Sequence, residues 1–152
     1  MSPASRCHPR RRRHPGRRPL RGPRDALEAI LFVATSPARH ETICLLLDHA
    51  HCGVSAVVIE GPEADDDLLG VGQMLIDACG QADTIGAIVL ATVRPGQSHE
   101  PSGYDQGRWF DLRARFEEAG VELLDWFVVA GGLAASLCEI TDSRWRWLDD
   151  AP

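Results

Sequence analysis

Residues 91–105 read A-T-V-R-P-G-Q-S-H-E-P-S-G-Y-D, and this stretch concentrates side chains able to bind a metal, move a proton or hold a carboxylate. Asp105 and His99 offer oxygen and nitrogen donors of the kind zinc takes. A zinc site here would draw its ligands from His99 and Asp105. Arg94 argues the other way. A guanidinium carries donors only, stays charged at any ordinary pH, and repels a cation. Its natural partner is a carboxylate gripped by two parallel hydrogen bonds, and Asp105, with Glu41 as a second candidate, is the one expected here. The plainest role for Asp105 is to cap the helix that follows. A second group, Asp48-His49-Ala50-His51-Cys52, sits in a turn. There, H-x-H on an extended strand would put both imidazoles on one side.

The spacing of the first stretch resembles the metal loop of the JAMM/MPN (JAB) metallo-isopeptidases and of the RadC-type proteins that share their domain. That family ends a strand with His-x-His, then has seven residues, a Ser, two residues and an Asp. Here the slots hold Thr92-x-Arg94, Ser102 and Asp105, with nothing inserted or deleted. Pro95 and Pro101-Ser102 match RadC-type positions, Leu123-Leu124-Asp125-Trp126 stands where the family has Leu-Leu-Asp-His, and residues 41–48 are similar to its glutamate-bearing strand. The resemblance spans about residues 39–140. It implies a cytidine-deaminase-like, three-layer α/β domain with a mixed sheet. It also implies that Thr92, Arg94 and Asp105 are former metal-loop positions, with Glu41 and Ser102 as vestigial catalytic candidates. Both histidines are replaced, so the resemblance leads to an inactive JAB/RadC-like domain that holds no cofactor and serves as a binding or scaffold module for a protein partner. Zinc belongs only to the alternative that the resemblance implies, a zinc-dependent peptide or isopeptide hydrolase with a rearranged ligand set drawn from His99, Asp105 and Glu41. In that alternative Glu41 matches the family's general base on a zinc-bound water.

These residues need a scaffold, and apolar patterning supplies one. A short apolar run over residues 27–35 ends at Ser36-Pro37. Residues 43–47 and 54–59 flank the histidine-bearing turn as a hairpin. Acids at residues 63–67, including Asp65-Asp66-Asp67, precede an apolar stripe ending near Gly80, the mark of a helix; Gly70-x-Gly72 lies inside it and so is no phosphate loop. Residues 84–91 are apolar throughout and predict a strand buried on both faces. A helix over 105–119 places Trp109, Leu112 and Phe116 on one side. Strands over 121–129 and 133–140 are joined by Gly131-Gly132. The segment 143–147, S-R-W-R-W, fits an edge strand or a docking segment, and packing back on the domain is the favoured role over a nucleobase-stacking surface.

Composition sets the remaining bounds. The chain has 152 residues, enough for one domain with a proper core. Nine arginines and no acids fall in residues 1–24, whereas residues 25–152 hold seven arginines against 22 acids. The first segment is too poor in apolar residues to offset its ordering entropy and reads as a disordered Arg/Pro-rich tail ahead of an acidic domain, 25–152. Its arginines (Arg10, Arg11, Arg12, Arg13, Arg17 and Arg18) can touch nucleic-acid phosphates without sequence preference, which gives a third functional reading, a nucleic-acid-associated RadC-like protein. No stretch is long and apolar enough for a membrane span, and the expected location is the cytoplasm. The odd set of five cysteines without C-x-x-C argues against a disulfide framework or a zinc ribbon. Cys44 and Cys138 read as small core residues. No G-x-S-x-G and no Cys-His pair in supporting context points to nucleophilic catalysis.

Overall fold

The computed structural model describes residues 18–61, 66–79 and 83–147. In chain order the elements are α1 (Pro23–Val33), β1 (Glu41–Leu47), β2 (Gly53–Glu60), α2 (Asp66–Cys79), β3 (Ala87–Val93), α3 (Gly103–Glu118), β4 (Glu122–Ala130), β5 (Leu133–Ser136) and the single turn α4 (Leu137–Ile140). The five strands form one mixed sheet in the order β2-β1-β3-β4-β5. Only the β3–β4 pair is parallel, and α3 makes its crossover.

Side-chain alternation divides the sheet into two buried faces. On one, Cys44, Ile88, Leu90, Trp126 and Val128 pack with Leu75 of α2 and with Trp109, Leu112 and Phe116 of α3. On the other, Ile43, Leu45, Val89, Ala91, Val93, Phe127 and Val129 pack with Ala26 and Ile30 of α1 and with Trp147. The result is three layers, helix–sheet–helix, around a sheet whose central strands β3 and β4 are buried nearly end to end. Trp109, Leu112 and Phe116 recur at three- and four-residue spacing and are fully buried. Truncating Trp109 or Phe116 to Ala would cost roughly 3–5 kcal/mol.

Several boundaries differ from the sequence reading, each for a definable reason. The segment placed in the tail up to residue 24 is ordered from Arg18 on: Pro19 bridges to Cys52, Leu20 N–H donates to His51 O (2.8 Å), and Pro23 opens α1. Charge composition alone missed these contacts because they are made to a distant turn. Arg10, Arg11, Arg12, Arg13 and Arg17 lie outside the described residues, as do Gly80 and residues 62–65. The strand expected at 84–91 runs instead from Ala87 to Val93, set by its register with β1. The strand expected at 133–140 stops at Ser136, whose Oγ accepts from Glu139 N–H (3.0 Å) and caps α4. Residues 143–147 form no strand; they pack back, with Trp147 buried and Trp145 partly buried against the α1-side core. Gly131 and Gly132 both take positive φ (59° and 79°), as the two-residue turn between Ala130 and Leu133 requires.

Candidate functional site

Arg94 follows the last residue of β3, and its N–H donates to Val129 O of β4 (2.8 Å), which anchors the backbone at the strand's end. Its side chain turns toward the first turn of α3. There Nη1 donates to Asp105 Oδ2 (3.0 Å) and Nη2 to Asp105 Oδ1 (2.9 Å), a fork-on-fork pair. The Arg94 side chain is 16% exposed and that of Asp105 2%. Asp105 also belongs to a capping box: Ser102 N–H donates to Asp105 Oδ2 (2.8 Å) and Asp105 N–H donates to Ser102 Oγ (3.1 Å). The capping role and the ion pair, alternatives when read from sequence, are both present in one carboxylate. Burial alone would raise the Asp105 carboxyl, but the hydrogen bonds from Arg94 and Ser102 and the charge of Arg94 outweigh it, and the group sits below the ordinary carboxylate range.

Thr92 lies two residues before Arg94 on the same face of β3, and its Oγ1 accepts from Trp126 Nε1–H (2.9 Å). Thr92, Arg94, Ser102 and Asp105 are thus gathered at one end of the sheet on the α3 side. Glu41 is not with them. It pairs in register with Val93, whose side chain belongs to the α1-side core, so Glu41 projects from the opposite face. Both of its carboxylate oxygens are taken by Thr35, from N–H (2.9 Å) and Oγ1–H (2.7 Å), and the residue is 2% exposed. The expected second carboxylate for Arg94, which is also the candidate base, therefore lies across the sheet from it. His99 is half-buried in the same loop, and no group of three or more His, Cys, Asp or Glu able to hold a metal occurs among the described residues.

The hairpin histidines diverge. His49 Nε2 lies 3.0 Å from Asp83 O, and its ring and backbone sit so close to Gly86 that a Cβ there would meet them at 2.5–2.8 Å. His51 takes the left-handed conformation (φ 64°) and is buried, edge-on to Trp147 and 3.7 Å from Glu122. Burial holds its imidazole below the usual histidine range, with Glu122 opposing. Asp48 accepts from Ala50 N–H (2.9 Å) and Cys52 N–H (3.0 Å) and so shapes the turn. Cys52 itself takes part in a disulfide, which the cysteine spacing did not anticipate. Cys44, Cys79 and Cys138 are free and buried.

One buried polar centre carried no role in the sequence reading. Asp125, in the middle of β4, is 0% exposed and accepts from Trp126 N–H (2.7 Å), Ser136 Oγ–H (2.6 Å) and Cys138 N–H (3.1 Å). Burial pushes its carboxyl up to about 6, against the lowering effect of those donors and of nearby Arg113. An aspartate inside an otherwise apolar strand was the available signal, since such a group must find buried partners. No protein-family model matches the chain, and no curated protein matches it.

Proposed function

We propose that this chain is a catalytically inactive JAB/RadC-like domain, of cytidine-deaminase-like architecture, that works as a binding or scaffold module. The observation that carries the reading is the two-bond grip of Arg94 on Asp105. At the positions where the resembling family holds a metal between histidines and an aspartate, a permanent cation from the chain itself neutralises the aspartate. An internal guanidinium needs no metal supply. It also removes the acceptor oxygens and the local negative charge that zinc would require. The rest of the would-be catalytic set supports this. Thr92 is committed to Trp126, and Glu41 to Thr35 on the far face. A zinc hydrolase built on His99 and Asp105 would first have to displace Arg94. No described helix is long and apolar enough to cross a membrane.

The test is metal content. The purified full chain, grown with supplemental zinc, is expected to carry none, whereas Thr92→His with Arg94→His is expected to bind one zinc per chain through the two histidines and Asp105. Stoichiometric zinc in the unaltered chain would overturn the inactive reading. A double variant that stays folded yet takes up no metal would overturn the kinship of the loop.

A further inference from the structure

Leu20 and Trp147, near the two ends of the described chain, both meet the turn between β1 and β2, and His51 stands at the junction. Its backbone O accepts from Leu20 N–H (2.8 Å), and its own N–H donates to Asp48 O (2.9 Å). Its ring meets that of Trp147 at right angles, with centroids 6.1 Å apart. Trp147 closes the strap of residues 143–147. The near end of this strap is tied by hydrogen bonds: Trp109 Nε1–H donates to Ser143 Oγ (2.9 Å) and Arg113 Nη2–H to Arg144 O. The far end is seated by burial of Trp147 in the α1-side core and by the Arg146–Glu117 pair at 3.3 Å, whose glutamate is 63% exposed. A cleft of about 510 Å³ lies along the strap, walled by Arg144, Arg146, Trp147, Glu117 and Glu122.

The imidazole of His51 is poorly provided for. Its side chain is 2% exposed, Nε2 lies 3.7 Å from Glu122 Oε1, and Nδ1 has no hydrogen-bond partner among the described residues. Trp147 Nε1–H likewise lacks an acceptor there. With Nε2–H turned to Glu122, the ring's lone pair lies at Nδ1, and a neutral ring tolerates dry surroundings. A proton taken up at Nδ1 changes this. It creates a second N–H with no acceptor and a full charge in a buried place, each costly without compensation. Glu122, at the start of β4, and Asp48, in the same turn, attract that charge, but burial outweighs them. The N-terminal segment and the strap meet His51 through the Leu20 backbone and the Trp147 indole, neither of which titrates. His49 turns elsewhere, with Nε2 at Asp83 O (3.0 Å).

We propose that His51 is a proton-operated latch for this strap: the neutral ring seats Trp147, and the imidazolium turns toward water and Glu122 and releases it. Glu122 is 51% exposed and lines the cleft, so the charged ring has a solvated carboxylate to move to. Release swings residues 145–147 about the tied pair Ser143–Arg144 and uncovers the α1-side core where Trp147 packs on it. The direction follows from linkage. The buried ring binds its proton less readily than a solvated one, so the closed strap prevails above the ordinary histidine value near 6.5. It gives way as pH falls through the lower value of the buried ring.

Fluorine NMR of the full chain labelled with fluorotryptophan tests the latch as pH is lowered from about 7.5 to about 4.5, a range that spans histidine titration. The Trp147 signal, assigned with Trp147→Phe, is expected to move to a solvent-exposed position with the same midpoint as the His51 ring protons, while Trp109 stays unchanged. His51→Asn puts a residue at home in the left-handed conformation (φ 64°) that cannot take the proton. In it the Trp147 movement should vanish. A Trp147 signal that holds still while His51 titrates, or that moves as before in the Asn variant, would overturn the inference. So would loss of all tertiary signals before His51 takes up its proton, because a latch opens within the folded state. Glu122→Gln, at a half-exposed position, gives an independent reading. Without that carboxylate both midpoints should fall together, by up to about one pH unit, a tenfold loss of proton affinity. A Trp147 midpoint that stays fixed while that of His51 falls would likewise overturn it.

Discussion

Two buried aspartates, Asp105 and Asp125, are hydrogen-bonded from several sides and yet lie at opposite electrostatic extremes. Asp105 accepts from a guanidinium and a backbone N–H, and its carboxyl is pulled below the ordinary range. Asp125 accepts from a hydroxyl and two backbone N–H groups, touches no cation directly, and is pushed up to about 6. Counting hydrogen bonds does not separate them. What separates them is whether a full opposite charge lies in contact to offset the cost of burying an ion. At Asp105 the chain supplies that charge. At Asp125 it supplies dipoles, with Arg113 near but bonded to Arg144 O.

The sharpest way to break this contrast is to remove the cation. Arg94→Ala leaves a buried carboxylate with only its Ser102 contacts, and a loss of roughly 3 kcal/mol is expected, read as a lower urea midpoint at pH 7. The same variant should raise the apparent Asp105 pKa by NMR; an unchanged value would show that the cap, not the ion pair, sets the titration.

Next in size is the opposed pH dependence of the two sites. For Asp105 the folded pKa is depressed, so its stabilisation is present above the unfolded value near 4 and fades as pH falls through the folded one. Asp125 has the opposite sign: between about 4 and about 6 the folded state keeps a proton that the unfolded chain has released, so stability declines as pH rises through that window. The decline should be on the order of 2–3 kcal/mol at ~1.4 kcal/mol per pKa unit. Asp125→Asn keeps an amide oxygen for the two N–H donors and offers an N–H to Ser136 Oγ. It should flatten the slope between pH 4 and 6 in denaturation curves, and a persistent slope would assign it to another group.

Smaller effects probe geometry rather than charge. Arg94→Lys retains the cation but cannot make both parallel bonds, and a cost of roughly 1–2 kcal/mol is expected. If it proves neutral, the fork matters less than the charge. Ser102→Ala removes half of the capping box while leaving Arg94 in place, for about 1 kcal/mol by thermal denaturation.

Much of this arrangement was legible in the residues. Apolar periodicity located the β1–β2 hairpin, the helices around Leu75 and Trp109, and the buried strand β3, because those signals depend on neighbours a few residues apart. The pairing of Arg94 with Asp105 followed from residue chemistry and a separation of eleven positions across the loop between a strand end and a helix start. The end of β5 was not legible: Ser136 and Cys138 leave the strand to meet Asp125, eleven and thirteen residues earlier. Nor was the packing of Pro19 and Leu20 against the distant turn at His51 and Cys52.

The sequence by itself determined which side chains could meet across a local turn, and that a fixed cation rather than a bare carboxylate pair stands at the loop. Only the tertiary structure decided which face each strand presents. Glu41 and Arg94 lie at neighbouring strand ends, yet the register that pairs Glu41 with Val93 sends their side chains to opposite layers. Side chains alternate with a period of two, so the choice of face depends on interstrand register, which is fixed by packing across the whole sheet rather than by any residue's neighbours in the chain.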